Sequence, residues 1–429
     1  MSLPPSITQS SPPVTLAEQY QQVRQFSEQL CQPLATEDYV IQTMPDVSPP
    51  KWHLAHTTWF FETFLLIPNL PNYDVFHPRY GYLFNSYYEA VGARHPRPQR
   101  GLLSRPTVEE IYRYRAYVDE AMRSLLHDAS ALEPSVRDLV QLGLHHEQQH
   151  QELLLTDIKH ILALNPLRPA YQVAKTVPTV ADSASNKEQW LDYPGGLYSL
   201  GYDGQEFAFD FAFDNESPKH QVYLNDFWLA ARLVTNGEYL EFIKSGGYSK
   251  AEYWLSDGWH TIQTENWQAP LYWEEIDGQW WLMTLSGMQP VNEHEPVCHV
   301  SLYEADAFAR WAGKRLPTEA EWEVATANVP IRGNFAESGV FHPVPASGAT
   351  RPDQLFGDVW EWTQSAYHPY PGFKPAAGAV GEYNGKFMCS QMVLRGGSCA
   401  TSQSHIRPTY RNFFPPSARW QFTGIRLGA

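Results

Sequence analysis

Between Leu16 and Leu164 four stretches repeat apolar side chains every three or four positions, the period of a helix with one buried face. The first is "LAEQYQQVRQFSEQLCQPL". The second, "SPPKWHLAHTTWFFETFLLIPNL", has a Ser-Pro-Pro start and a proline stop. In the third, "SRPTVEEIYRYRAYVDEAMRSLLHDAS", Thr107 followed by Glu110 predicts a capping box. The fourth contains "LGLHHEQQHQELLLTDIKH", Leu142 to His160, where histidine, glutamine and glutamate interrupt the apolar stripe. Leu142, His146, Gln149, His150 and Leu153 share one face there, and His146 and His150 are one turn apart. Four amphipathic helices with one long connection, about Pro68 to Arg105, predict a helix bundle.

The pattern then changes. "NPLRPAYQVAKTVPTVADSASNKEQW" reads as a linker. From about Gln189 onward apolar runs are short and glycine, tryptophan, tyrosine and proline are frequent, which predicts short strands and long loops. Two helices stand out in "SLYEADAFARWAGKRLPTEAEWEVATA", each started by a capping box: Ser301 with Glu304, then, after a break at Gly313, Thr318 with Glu321.

At 429 residues the chain has room for two or three domains with sizeable cores. A formal charge of −16 argues against a generic nucleic-acid binder. The aromatic content of 14%, with 15 tryptophans, suits an aromatic-rich, loop-heavy domain beside the bundle. Cys31, Cys298, Cys389 and Cys399 lie far apart with no CxxC pair, so a reducing compartment is expected rather than a disulfide framework or structural zinc. The start carries no secretory signal, and no stretch approaches the roughly 20 apolar residues that span a bilayer. The expectation is a cytoplasmic protein without nucleic-acid or membrane partners.

Candidate chemistry centres on "HEQQH", His146 to His150, an HExxH pattern in which two helical histidines bind a metal. In a zinc hydrolase Glu147 would be the general base. The bland alternative is a polar helix face. "WHLAHTTWFFE" places His53 and His56 on another helix, where one could supply a third ligand across the bundle. Three imidazoles leave open positions on a divalent metal, although imidazole alone does not separate iron from zinc or copper. His53 and His145 read equally as outer donors or surface residues. The long connection holds "NSYYEAVGARHPRPQRG", with Tyr87, Tyr88, Arg94, Arg97 and Arg100. Its arginines offer forked donors to a carboxylate and its tyrosines a proton, against the plainer reading of a solvated basic loop. Near the C-terminus, Trp360, Trp362, Arg395, Arg426 and the Gly396–Gly397 pair read as structural.

Taken together, "SPPKWHLAHTTWFFE" and "HHEQQHQE" resemble the DinB-like helical domain of the ergothioneine-type sulfoxide synthases. "RLPTEAEWE", "FGDVWEWTQS", "LRGGS" and "RPTYRNFFPP…RWQFTGIRL" resemble the formylglycine-generating-enzyme (sulfatase-modifying factor) domain fused to it. The fold this implies is α+β: a DinB-like four-helix bundle followed by an irregular, C-type-lectin-like α+β domain. The expected organisation is a flexible arm at 1–15, the helical iron-binding domain at 16–170, a linker at 171–188 and the formylglycine-generating-enzyme-like domain at 189–429.

The resemblance implies a non-haem iron enzyme that joins a thiol to hercynine (Nα-trimethylhistidine) using O2. His56, His146 and His150 would hold Fe(2+). Gln149 would hydrogen-bond the hercynine imidazole, while Asn412 and Phe413, joined by Tyr383, would face its carboxylate and trimethylammonium ends. Arg94 and Arg97 match the arginines that hold the thiol's carboxylate. One branch of the family has its catalytic tyrosine in the stretch matching "AVGEYNGKF", where this chain has Val or Gly. "NSYYEAVGARH" instead resembles a second branch, in which Tyr87 or Tyr88 gives a proton to the reduced oxygen species. Phe414 replaces an acidic residue of relatives that use γ-glutamylcysteine, which favours cysteine as thiol donor. Competing readings are a sister enzyme using histidine or a selenium donor, an HExxH zinc hydrolase, and a non-catalytic lectin-like binding protein.

Overall fold

The computed structural model describes residues 14–175, 189–204, 211–348 and 352–429. The expected arm therefore lies outside the described residues up to position 13, and the expected linker does from 176 to 188.

Helix α1 (Leu16–Cys31) opens on a reciprocal box: the Glu18 N–H donates to Thr15 Oγ1, and the Thr15 N–H donates to the Glu18 carboxylate. α2 (Pro50–Phe61) starts on prolines, whose fixed φ suits a first turn. It continues through a π-helical turn, Glu62–Leu66. Thr107 and Glu110 form the box that starts α3 (Val108–Leu126). α4 (Pro134–Leu164) has 31 residues, which makes it about 46 Å long.

All of α2 is buried, and its Phe60 and Phe61 press on α4 at Gly143. A Cβ at Gly143 would lie 2.7 Å from Phe61 Cε1. The missing side chain thus lets the two histidine-bearing helices approach closely. Glu147 closes the bundle from the other side of α4. It accepts from Arg24 (2.8 Å), Arg115 (2.6 Å) and Ser27 (2.6 Å), all buried.

Beyond α4, the N–H groups of Tyr171 and Gln172 both donate to Leu285 O (2.8 and 3.0 Å). In the second region β1 (Trp190–Tyr193) pairs antiparallel with β4 (Phe227–Ala230), and β2 (Gly196–Leu200) with β3 (His220–Leu224). A meander follows: β5 (Trp273–Ile276), β6 (Gln279–Thr284), β7 (Gly287–Pro290). The largest sheet places β8 (Trp360–Ala366) between β9 (Met392–Arg395) and the parallel β11 (Thr423–Gly424), with β10 (Asn412–Phe414) outside β9. Four helices pack around the strands: α5 (Asn236–Lys244), α6 (Ser256–Thr264), α7 (Leu302–Trp311) and α8 (Glu319–Thr326). Both capping boxes expected from the sequence start α7 and α8.

This second core carries paired charges. Arg395 meets Glu319 (2.6 Å) and Glu323 (2.8 Å), and Arg426 meets Glu361 (2.8 Å). Gly396 has φ +98°, and a Cβ there would sit 2.6 Å from Leu355 O, so only glycine fits. The architecture is mixed α+β, a helical region followed by a sheet-containing one. Its four cysteines are free, and among the described residues no helix is long and apolar enough to cross a membrane.

α4 also holds the two regions together through polar side chains. Glu152 accepts from Trp360 Nε1 (2.7 Å), Ser398 (2.6 Å) and Thr401 (2.7 Å). Gln148 donates to Ser404 (2.7 Å), and Lys159 Nζ lies 2.6 Å from His299 Nε2. The polar residues that interrupt the apolar pattern of α4 are thus buried on several sides at once.

Candidate functional site

A cavity of about 250 Å³ opens where the bundle meets the second region. Its helical wall carries His56 from α2 and His146, Gln149 and His150 from α4. One ring nitrogen from each of His56, His146 and His150 lies within 4.8 Å of the others. His56 Nε2 and His146 Nε2 are 3.2 Å apart, the spacing of two nitrogens each about 2.0–2.1 Å from a common ion.

Outer contacts orient these rings. His56 Nδ1 donates to Phe84 O (2.6 Å), which leaves its Nε2 lone pair toward the cavity. His150 Nδ1 meets His53 Nδ1 (2.9 Å), and His53 Nε2 meets Asp157 Oδ2 (2.9 Å). His146 Nδ1 is buried without a partner among the described residues. Burial pushes His146 down to about 4 against the opposing pull of Glu147, and it pushes His56 and His150 well below the usual range. Neutral imidazoles with converging lone pairs are the donor set a divalent metal requires. The residues therefore fit a metal ion.

The loop wall comes from the long connection and the second region. Tyr87, half-buried, and Tyr88, buried, both line the cavity. Tyr88 packs against Phe64 (5.1 Å) and Trp59 (5.8 Å), and burial raises its phenol. Tyr87 accepts a hydrogen bond from Arg97, and its ring lies 5.9 Å from that of Tyr383. Glu382 holds this loop by accepting the N–H groups of Glu89 (2.9 Å) and Ala90 (3.0 Å). Asn412, Phe413 and Phe414 complete the wall. Phe413 stacks on Tyr367 at 4.1 Å, and Phe414 meets Trp420 edge-on at 6.0 Å.

Arg97 lines the cavity, but Arg94 does not: it is exposed and pairs with Glu89. Two more arginines line the cavity, Arg100 and Arg411, the latter paired with Glu319. Arg100 shares the corner with Arg97. It lies 3.4 Å above the Trp52 ring and donates to Ser48 (2.9 Å) and Ser86 (3.1 Å). Arg97 and Arg100 both stand on the 3-10 turn Arg97–Leu102, where residues three apart point the same way. Arg94 precedes that turn. Among the described residues neither Arg97 nor Arg100 has a carboxylate partner, and burial together with Arg97 lowers Arg100 to about 9. Their guanidinium groups offer forked donors to an anion.

The chain is 32% identical over 409 residues to "Hercynine oxygenase" of Mycobacterium tuberculosis, covering 89% of this chain and 91% of the relative. The protein of that name from Mycolicibacterium smegmatis is also 32% identical, covering 90% and 92%. This chain belongs to the hercynine oxygenase family. It is an enzyme of the oxidoreductase class, and the reading as a non-catalytic binding protein falls with that finding. Its two halves match the DinB superfamily at residues 19–154 and the sulfatase-modifying factor enzyme 1-like domain at residues 176–351 and 352–428. PvdO from Pseudomonas aeruginosa, a solved structure, is 21% identical with a TM-score of 0.38, covering 56% of this chain and 93% of its own.

Within this family member the glutamate of HExxH is not in the cavity. Its two guanidinium partners outweigh the cost of burial and hold Glu147 down at about 2. It is an anchor of the bundle, its carboxylate taken up by Arg24, Ser27 and Arg115. Tyr410 was not singled out by the sequence, yet its hydroxyl accepts from Gln149 Nε2 (2.7 Å) and lies 3.0 Å from His405 Nε2. Its signal was its place two residues before Asn412. Trp360, read as structural, also lines the cavity, as does Trp420.

Proposed function

We propose that this chain is an iron(II)- and O2-dependent sulfoxide synthase of ergothioneine biosynthesis, forming a C–S bond between hercynine and cysteine. The observation that carries this reading is the placement of three imidazole nitrogens beside an unpaired arginine corner, in one cavity, in a chain of this family. Iron(II) held by His56, His146 and His150 would deprotonate the thiol and activate dioxygen.

The chain's own groups do the rest. Gln149 spends its N–H on Tyr410, which keeps its amide oxygen for the N–H of the hercynine ring. Phe413 offers an aromatic face to the trimethylammonium, and Asn412 a donor to the carboxylate. Arg97 and Arg100 hold the cysteine carboxylate and so fix the sulfur near the imidazole carbon it must reach. Tyr87 accepts from Arg97, so its own O–H remains free to donate a proton to reduced oxygen. Phe414, packed on Trp420, gives a glutamyl ammonium no charge to pair with, which favours free cysteine.

Anaerobic reconstitution with iron(II), followed by O2 and mass spectrometry, tests the reading. Hercynine with cysteine is expected to give the sulfoxide faster than hercynine with γ-glutamylcysteine or a selenosugar. Absence of coupled product with cysteine, or preferred coupling of the selenosugar, overturns the assignment.

A further inference from the structure

We propose that His53 and Asp157 are positioning residues that orient His150 as the third metal ligand, an inference that rests on the metal reading above. On α4, Asp157 stands two turns beyond His150 on the same side. From α2, His53 inserts between them, with its two nitrogens 2.9 Å from His150 Nδ1 and 2.9 Å from Asp157 Oδ2. His53 and Asp157 are each exposed by no more than 4%.

The chemistry of the three groups sets the direction of the hydrogen bonds. A carboxylate only accepts, so His53 Nε2 carries a proton and donates it to Asp157. With His150 ligating through Nε2, its Nδ1 carries the proton and donates it to the remaining nitrogen of His53. His150 is left with its lone pair on Nε2, and its ring plane is fixed by the pair behind it. Asp157 Oδ2 also accepts the Ser48 N–H (2.7 Å), just before α2 begins. One carboxylate thereby sets where α2 starts and, through His53, how α4 presents its ligand. Two of the three ligand rings are held from behind, His56 by a backbone carbonyl and His150 by this side-chain pair, while among the described residues His146 Nδ1 has no partner. Within "WHLAH" the second histidine is the ligand and the first aims a ligand of the other helix.

The test uses the full-length apo chain and cobalt(II) alone, read by chelator competition and by the visible d–d spectrum, with the melting of each apo variant recorded. The parent chain is expected to bind one cobalt, lost in His56→Ala. His53→Leu is expected to bind about 10–100-fold more weakly with an altered spectrum. His53→Gln restores most of the affinity, because an amide oxygen accepts from His150 while its nitrogen donates to Asp157. Asp157→Asn falls between the two. A purely structural pair would lower apo melting in His53→Leu and leave affinity and spectrum unchanged in every folded variant. Parental affinity and spectrum in His53→Leu, or in Asp157→Asn should His53→Leu not fold, overturns the proposal. Cobalt binding that survives His56→Ala overturns the metal reading itself, and this inference with it.

Discussion

The two walls of the cavity are made differently. On the helical wall, His56, His146 and His150 project from α2 and α4, whose approach is set by Gly143; Glu147 ties α4 to the bundle and Glu152 ties it to the second region. On the loop wall, Tyr87, Arg97 and Arg100 stand on short turns of the long connection, held to the second region by Glu382. The helical wall fixes its atoms by repeated spacing along a rigid rod. The loop wall fixes them by individual hydrogen bonds to residues far away in sequence. A rigid wall suits a metal, whose ligands must meet at one point; an adjustable wall suits substrates that enter and leave.

Breaking the helical wall has the largest effect. His146→Ala removes a ligand, and metal titration is expected to show binding weakened at least about 100-fold, with coupled product reduced to background. Next comes the anchor behind it. Glu147→Ala leaves two buried guanidinium groups without their carboxylate and is expected to cost about 3–5 kcal/mol in denaturant unfolding. The same pair predicts a pH dependence. Glu147 is held at about 2 in the folded chain, below its ordinary value of 4.5. Its contribution is therefore complete above that ordinary value and is lost as pH falls toward 2. The loss is about 3 kcal/mol, and melting curves of Glu147→Gln against the parent should converge as the solution is acidified. Folded Glu147→Gln is expected to keep its coupling activity, which a hydrolase using this glutamate as base would not.

On the loop wall the expected effects are smaller and more specific. Arg97→Ala or Arg100→Ala raises KM for cysteine by about 10–100-fold, the worth of one charged hydrogen bond. Arg94→Ala leaves it within about twofold, as befits an exposed pair. Equal effects at 94 and 97 would erase the distinction between the cavity arginines and the exposed one. Smallest in rate is Tyr87→Phe, read as a shift of product from sulfoxide toward cysteine sulfinate by mass spectrometry. An unchanged ratio in Tyr87→Phe with a shifted one in Tyr88→Phe moves the proton donor one residue along.

The same contrast governs what the sequence revealed. The bundle helices, the capping boxes at Thr107, Ser301 and Thr318, and the His146–His150 pair were legible because they depend on neighbours three or four positions away. Two residues could not be placed from local spacing, which carries no direction. Arg94 and Arg97 look equivalent in "RHPR", and only the 3-10 turn that begins at Arg97 separates them. Glu147 fits a protease pattern until the partners supplied by α1 and α3 are known. For His53 the sequence left outer donor and surface residue equal, since a hydrogen-bonded chain through two imidazoles exists only once α2 and α4 are packed.

The crowding around α4 also limits how this chain can diverge. Successive positions 145 to 152 serve the second region, the metal cavity and the bundle interior in turn. Deleting a single residue there would rotate everything downstream by about 100°, sending Glu152 and Asp157 away from their partners together. Point substitutions can alter one surface of this rod at a time. Indels cannot, so length change among descendants of this chain should be confined to its connections and absent from the span between Gly143 and Lys159.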